Sequence, residues 1–244
     1  MFVRALGARL SRASLQHPVA RIRSFLRFLA GRGEIARGLD SSLDTPRLYR
    51  GEQLPRALPW ETVRAFLGAI DRSTPKGRRD YAMFLLVATY GLRTCEVAAL
   101  QLDHFEWRAA RIRVPRPKTG TPIVLPLTEG VGAAILDYLR HARPDLPHRA
   151  IFLRVRAPAG PIKPTAVTNA FQTWSRRCAV PIPYQGPHCL RHSLAVHLLR
   201  QRTSLKAIGD LLGHRSAEST CVYLRLHVDD LRDAALDLPK EVRP

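Results

Sequence analysis

Apolar residues recur at helical spacing along most of this chain. Residues 18–33 place apolar side chains on one helical face and stop near Gly31, which predicts an amphipathic helix. The same spacing predicts further helices at 59–70, 79–90, 93–100, 128–142, 164–179, 187–201, 204–212 and 216–223. Residues 34–56 are polar, rich in turn-forming residues and without a period, so we expect a linker there.

Three short stretches follow the two-residue period of β-strands instead, at 105–107, 111–114 and 122–127. Turn residues separate them, and Lys118-Thr119-Gly120 falls between the second and the third. This pattern predicts a small antiparallel sheet with Lys118 at a hairpin turn. The fold class that follows is mainly α with a small antiparallel β-sheet, an α+β arrangement.

The charge of the chain narrows the class of partner. Lysine and arginine outnumber aspartate and glutamate by 39 to 20, which gives a formal net charge of +19. Such a balance favours a polyanion, with nucleic acid first and an anionic membrane surface second, while a solvated basic surface remains the plain alternative. The longest apolar run, 82–90, is too short to span a bilayer.

Cysteine usage indicates the compartment. No C-x-x-C pair occurs and no secretory signal precedes the four cysteines, which are Cys95, Cys178, Cys189 and Cys221. Reduced thiols in the cytoplasm are therefore expected. The arginine-rich, acid-free start of the chain is also compatible with a transit peptide, but the basic bias continues to the end and favours the cytoplasm.

The stretch P-H-C-L-R-H-S-L-A-V-H-L-L, residues 187–199, sets histidines and an arginine into an apolar helical pattern. His188 and Arg191 are three residues apart and share a helical face. His188 and His192 form an i, i+4 pair, a spacing that binds zinc when a third ligand is present. Histidines at the edge of the core, with both ring nitrogens satisfied, are the alternative interpretation.

Four segments and one tyrosine occur in the same order as the motifs of the tyrosine recombinase (phage integrase) family, which this chain therefore resembles. The segments are G-L-R-T-C-E at 91–96, P-K-T-G at 117–120, H-C-L-R at 188–191 and L-L-G-H at 211–214, and Tyr223 follows nine residues after the last. The resemblance covers about residues 57–235. It implies a catalytic set made of Arg93, Lys118, His188, Arg191, His214 and the nucleophile Tyr223.

The resemblance implies a site-specific DNA recombinase or integrase that breaks and rejoins strands through a covalent 3′-phosphotyrosyl intermediate. No metal, ATP or other cofactor is expected. The implied partner is double-stranded DNA, bound by a tetramer of the chain on paired sites, with a Holliday junction as the intermediate. An accessory DNA-bending protein and an origin in a mobile element fit the same family.

The chemistry of the residues agrees with these roles. Attack on a phosphodiester builds negative charge on phosphorus, and the planar forks of Arg93 and Arg191 suit its two non-bridging oxygens. Nearby arginines are expected to favour the phenolate of Tyr223. Lys118 is suited to protonate the 5′-oxygen that leaves, and His188 and His214 to bind phosphate oxygens or assist proton transfer at the phenol. Glu96, one turn after Arg93, is expected to orient an arginine or a histidine.

The chain is expected to divide at about residue 56. Residues 1–56 are predicted to be the remnant of an N-terminal helical domain that clamps DNA, with a linker, because only one convincing helix precedes the catalytic region. Residues 57–244 are the predicted catalytic domain, with an apolar pattern in the tail that suggests assembly. Two alternatives remain: a truncated, inactive integrase remnant, and a regulator whose recognition helix is 216–223 in a helix-turn-helix.

Overall fold

The computed structural model describes residues 10, 12–45, 47, 54–116, 120–214 and 216–226. Lys118 and the apolar tail pattern after residue 226 lie outside these residues. The chain divides into two compact units, Met1–Gln53 and Leu54–Pro244. The role of the first unit in clamping DNA stays a prediction.

The first unit contains one long helix, α1 (Arg12–Gly31). The apolar pattern predicted a start at residue 18. Instead the helix begins at Arg12 and Pro18 lies inside it. Phe25 and Phe28 are 58% and 56% exposed, so apolar surface remains open on this unit.

The second unit holds eight further helices among the described residues. They are α2 (Trp60–Gly68), α3 (Pro75–Tyr90), α4 (Thr94–Ala98), α5 (Glu129–His141), α6 (Pro164–Ser175), α7 (His188–Arg200), α8 (Leu205–Leu212) and α9 (Glu218–Cys221). No helix within the described ranges is long and apolar enough to cross a membrane.

Helix α3 forms the centre of the second unit. Phe84 and Leu86 are fully buried, and the helix packs against α5 on one side and α7 on another. It begins four residues before the predicted start, because the Thr74 hydroxyl caps it by accepting a hydrogen bond from the Gly77 amide at 3.0 Å. Its C-terminal end, at Tyr90, lies next to the candidate site, which the following residues Leu92 and Arg93 line.

The sheet has three antiparallel strands in the order β1 (Phe105–Glu106), β2 (Arg111–Val114) and β3 (Ile123–Pro126). Ile112 of β2 pairs with Phe105 on one side and with Leu125 on the other. All three side chains are buried, while Arg111 and Arg113 point to solvent. The mainly α fold with a small antiparallel sheet is thus confirmed.

The predicted helix 216–223 is the clearest difference from the sequence analysis. Helix α9 has only four residues, and the chain then tightens into a 3-10 turn over Val222–Leu226. Thr220 and Tyr223 are both buried, so this segment is held by packing against its neighbours rather than by its own length. Tyr223 therefore lies on the 3-10 turn and not on an α-helix, and this turn sets the position of its hydroxyl.

Candidate active site

Helix α3 ends at Gly91, whose φ of 65° lies in the left-handed region that favours glycine. A Cβ atom at this position would lie 2.4 Å from the Leu212 side chain. Glycine therefore permits a sharp turn directly beneath α8 and brings Arg93 to the start of α4. The carbonyl oxygen of Gly91 accepts a hydrogen bond from Nη1 of Arg191, which joins two of the sequence motifs.

The last carbonyl groups of α8 bind three arginines. Leu211 O accepts a hydrogen bond from Arg116 Nη2 at 2.6 Å, and Leu212 O accepts one from Arg191 Nη2 at 2.5 Å. Gly213 O accepts a longer bond of 3.3 Å, from Nη2 of Arg93. These carbonyls have no partner within the helix and carry the negative end of its dipole, so they stabilise the gathered positive charge.

Glu96 orients Arg93, as the sequence predicted. Its Oε1 accepts a hydrogen bond from Nη1 of Arg93 at 2.7 Å, and its Oε2 accepts one from the Arg93 backbone amide at 2.8 Å. The carboxylate is only 2% exposed, so it fixes both the backbone and the guanidinium of Arg93. One carboxylate against three guanidiniums leaves the group with an excess of positive charge.

Arg191 is held rigidly inside the protein. It is 2% exposed, and burial is the largest cause that lowers its pKa, to about 10. The positive charge of Arg93 acts in the same direction, whereas Glu96 opposes it. At neutral pH the guanidinium remains protonated, so the site presents a fixed and poorly hydrated cation to an anionic ligand.

Arg116 is a member of this group that the sequence analysis missed. It is 9% exposed, its guanidinium packs against Gly213, and burial lowers its pKa. The two-residue period of β2 contained the signal, because Arg116 continues the inward face of Ile112 and Val114. Arg116 ties the end of this strand, just before the loop of Lys118, to the end of α8.

The hydroxyl of Tyr223 lies 2.9 Å from Nδ1 of His192. From the sequence, His192 was expected only as a possible partner of His188 for zinc, and His188 or His214 was expected to assist at the phenol. Tyr223 is 1% exposed, and burial raises the pKa of its phenol, although Arg191 and Arg93 lower it. The arginines thus favour the phenolate, as expected, but in the DNA-free protein the desolvation of the phenol is the larger effect and the net pKa is raised.

His214 follows the left-handed Gly213 and is positioned by Thr220. Its Nδ1 lies 2.8 Å from the Thr220 hydroxyl, and its ring stacks at 6.2 Å from the ring of Tyr223. If the hydroxyl donates to Nδ1, Nε2 carries the hydrogen and is able to donate to a phosphate oxygen. Burial, Arg191 and Arg93 lower the pKa of His214 to about 4, so the imidazole is neutral at pH 7.

A cleft of 530 Å³ joins these side chains into one site. The predicted residues that line it are Arg93, His188, Arg191, His214 and Tyr223. His188 stands at the start of α7, and its ring contacts that of His192 at 4.6 Å. Five of the six predicted residues therefore share one cavity. The sixth, Lys118, lies outside the described residues, and its place in the loop between β2 and β3 stays a prediction.

The two alternative interpretations find little support in this geometry. Within the described part of the chain, no three His, Cys, Asp or Glu side chains are grouped so that they could hold a metal ion, and this includes the His188–His192 pair. A helix-turn-helix needs a recognition helix that presents its side chains to a DNA groove. Helix α9 has four residues, and its Thr220 is buried beneath His214.

The lowered pKa values of His192 and His214 predict that acid destabilises the fold. Both are about 4 in the folded protein against an ordinary value of 6.5, so the unfolded chain binds more protons between these values. Stability should be full above pH 6.5 and fall toward pH 4, by up to about 1.4 kcal/mol per pH unit for each group. Urea unfolding at pH 7, 6 and 5 measures this.

A matched pair of variants identifies the source of that pH dependence. His192→Gln should give a shallower dependence of the urea midpoint on pH, while His141→Gln, an exposed residue of α5, is the control. Equal slopes in the unmodified protein and in His192→Gln would show that His192 does not contribute.

Comparisons with known proteins agree with the site. The model of the phage integrase family matches residues 56–230. "Putative integrase/recombinase y4rA" of Sinorhizobium fredii is 39% identical over 243 residues, which cover 99% of this chain and 59% of that protein. "Putative integrase/recombinase y4gC" of the same organism is 44% identical over 188 residues, which cover 76% of this chain and 97% of that protein. The chain thus spans 59% of one relative's length and nearly all of the other's.

Solved structures share the fold at low sequence identity. XerH site-specific recombinase, bound to a palindromic difH substrate after cleavage, matches with a TM-score of 0.74 and 18% identity, over 96% of this chain and 69% of that one. A lambda integrase tetramer bound to a Holliday junction matches with a TM-score of 0.65 and 18% identity, over 89% and 62%. The fold and the residues that line the cleft therefore point to one family.

Proposed function

This chain belongs to the phage integrase family, and on that basis we propose that it is a tyrosine-type site-specific recombinase. In this proposal Tyr223 attacks a phosphodiester of double-stranded DNA and holds the 3′-phosphate covalently until the strand is rejoined. The observation that carries the proposal is that Tyr223 lines the same cleft as Arg93 and Arg191. A nucleophile and two phosphate-binding cations are the minimum that this reaction requires.

The two arginines stabilise the charge of the transition state. Oη of Tyr223 forms a bond to phosphorus as the bond to the 5′-oxygen breaks, and negative charge grows on the non-bridging oxygens. Because Glu96 and the carbonyls at the end of α8 already hold the guanidiniums, little reorganisation is needed when this charge appears. His214, neutral and oriented by Thr220, adds a hydrogen-bond donor to a phosphate oxygen, and His188 adds a second polar group from the start of α7.

The leaving group determines the role of Lys118. A 5′-alkoxide is a strong base and needs a proton as its bond to phosphorus breaks. Lys118, in the loop that follows Arg116, supplies that proton in this proposal. The hydrogen bond from Arg116 to Leu211 O anchors the base of this loop next to the His214 segment. The phosphotyrosyl bond keeps the energy of the broken phosphodiester, so rejoining by the free 5′-hydroxyl requires no ATP.

We extend the proposal to the assembly on DNA. The formal net charge of +19 supports a double-stranded DNA partner through contacts with its phosphates. The lambda integrase structure is a tetramer on a Holliday junction. A tetramer of this chain on two paired sites, with a Holliday junction as intermediate, is the corresponding proposal. In it, residues 1–56 belong to a domain that clamps DNA, and an accessory DNA-bending protein assists.

A nicked-substrate experiment tests the proposal without knowledge of the target sequence. The substrate is a duplex library with randomised positions around a nick, so that cleavage near the nick releases a short 5′-hydroxyl strand and traps the protein on DNA. We expect a complex that survives denaturation and that forms in excess EDTA. Sequencing the trapped DNA then gives the target.

The outcomes separate the classes of protein. A regulator or an inactive remnant binds the library but never becomes attached to it. Cleavage that EDTA abolishes and that magnesium or zinc restores would indicate a metal-assisted phosphoryl transfer in place of the tyrosine mechanism.

A further inference from the structure

The hydrogen bond between Tyr223 and His192 has no role in the function proposed above. His192 lies one helical turn after His188 and directly follows Arg191 on α7. Its Nδ1 is 2.9 Å from Oη of Tyr223, and the two ring centroids are 5.6 Å apart. The atom that is to attack phosphorus therefore already has a nitrogen within proton-transfer distance.

The surroundings of the pair are compatible with a hydrogen bond from the phenol to the imidazole, whose direction depends on the tautomer of His192. Tyr223 is 1% exposed, so its hydroxyl needs a partner inside the protein. Burial is the largest cause that lowers the pKa of His192 to about 4, which makes the imidazole neutral at pH 7. A neutral imidazole with its hydrogen on Nε2 accepts from the phenol at Nδ1. Tyr223 is then the donor, as it must be if it is to lose its proton along this bond.

We infer that His192 is the catalytic residue that receives the phenolic proton when Tyr223 attacks DNA, an inference that rests on the proposed function and gives this proton its acceptor. As Oη bonds to phosphorus, the O–H bond breaks and Nδ1 becomes protonated, while the 5′-oxygen leaves with a proton from Lys118. During rejoining the 5′-hydroxyl attacks phosphorus and returns its proton to the neutral amine of Lys118, while the phosphorus–Oη bond breaks and the imidazolium returns its proton to Tyr223.

The charges around His192 connect this step to DNA binding. Four neighbours lower its pKa in addition to burial: His188 and Arg191 from its own helix, His214 from the segment after α8, and Arg56 from the segment before α2. A phosphodiester in the cleft brings negative charge to these same groups. The pKa of His192 therefore rises when DNA binds, and the imidazole becomes a stronger base only once the substrate is present.

The other histidines are less suited to this transfer. Nδ1 of His214 is already within hydrogen-bond distance of the Thr220 hydroxyl, and its ring lies parallel to that of Tyr223 at 6.2 Å rather than pointing at the phenol. His188 contacts the ring of His192 edge to face and lines the cleft. Both are better placed to contact phosphate oxygens than to accept the phenolic proton.

A crossed experiment distinguishes the acceptor of the phenolic proton from the donor to the leaving group. Single-turnover adduct formation on the nicked substrate is measured for His192→Gln and Lys118→Ala. Each is tested with normal DNA, with a 5′-bridging phosphorothiolate, and with a ring-fluorinated tyrosine at position 223, whose phenol ionises at lower pH. His197→Gln is the control on the same helix, because His197 stacks on Trp60 at 4.1 Å and does not line the cleft.

We expect His192→Gln to slow adduct formation by about 10²- to 10⁴-fold, the range of a lost general base. Fluorination should reduce that defect by about tenfold or more, because an acidic phenol depends less on a base, whereas the phosphorothiolate should not help. Lys118→Ala should show the opposite pattern. In His192→Ala, which opens space, added imidazole should restore part of the rate.

The pH profile gives a reading that a merely structural role would not change. In the unmodified protein the rate should decline as pH falls through the pKa of His192 in the DNA complex. His192→Gln should lose this decline, while circular dichroism and DNA affinity remain near those of His197→Gln.

Different results would overturn the proposed function and the role of His192. If the unmodified protein forms no adduct, the proposed function fails. If the unmodified protein forms the adduct and His192→Gln forms it at the same rate, His192 is not the acceptor of the proton. The same conclusion follows if fluorination leaves the defect of His192→Gln unchanged and imidazole leaves that of His192→Ala unchanged.

Discussion

Replacing Tyr223 by phenylalanine will abolish the covalent attachment of this protein to DNA. The change removes the only oxygen of the side chain that is able to attack phosphorus and leaves the ring, which is 1% exposed, in its packed position. The lost hydrogen bond to His192 costs about 0.5–1.5 kcal/mol of stability, too little to unfold a domain of this size. Denaturing electrophoresis of the trapped nicked duplex measures the effect.

Binding and cleavage should separate in this variant. Affinity for DNA, measured by fluorescence anisotropy, should remain within a few-fold of the unmodified value, since the arginines of the cleft are untouched. Tyr184→Phe, a partly buried tyrosine that packs on the core, is the matched control and should form the adduct normally. An adduct that persists in Tyr223→Phe, or that is lost in Tyr184→Phe, would assign the nucleophile elsewhere.

Lys118→Ala and Arg191→Ala should both cause large losses of cleavage that respond differently to sulfur in the substrate. Without its general acid, Lys118→Ala should be slower by about 10²- to 10⁴-fold. A 5′-bridging phosphorothiolate releases a thiolate, whose conjugate acid has a pKa of about 8.5, so it leaves without a proton. Cleavage of this substrate by Lys118→Ala should approach the unmodified rate.

Arg191→Ala should not be rescued by sulfur, because its role is to hold the non-bridging oxygens. Loss of one such contact costs about 2.7–4 kcal/mol of transition-state stabilisation. Arg191 also donates hydrogen bonds to Gly91 O and Leu212 O, so its loss could disturb the fold. The comparison variant is therefore Arg191→Lys, which keeps the positive charge but loses the planar fork. A Lys118 defect that sulfur leaves unchanged would make Lys118 a phosphate-binding or structural residue.

The sequence was sufficient for the elements with strong local signals. The strands appear within one residue of their predicted bounds, and α8 begins after its predicted cap at Ser204, whose hydroxyl accepts from the Ala207 amide at 3.2 Å. The start of α3 was predicted too late, because the capping of Thr74 was not taken into account. The last helix was predicted too long, since local pattern does not report how buried Thr220 and Tyr223 constrain the backbone.

The site was predicted as a set of residues, but not as a geometry. The motifs identified Arg93 and the Gly213–His214 segment, which meet although 120 residues separate Arg93 from Gly213. His192 was missed as the partner of Tyr223, because a contact between a helix and a distant 3-10 turn leaves no periodic signal in the sequence. The effect of the arginines on the phenol was predicted with the right sign, but the larger opposing effect of burial was not, since desolvation depends on packing that no motif records.

The central claim is that Tyr223 becomes bonded to the 3′-phosphate of the cleaved strand, and peptide mapping of the trapped complex tests it most directly. After nuclease and protease digestion, mass spectrometry should find a nucleotide phosphate on the peptide that contains Tyr223, while polynucleotide kinase should label a free 5′-hydroxyl on the released strand. A phosphate on any other residue, or a released strand that carries a 5′-phosphate, would contradict the account.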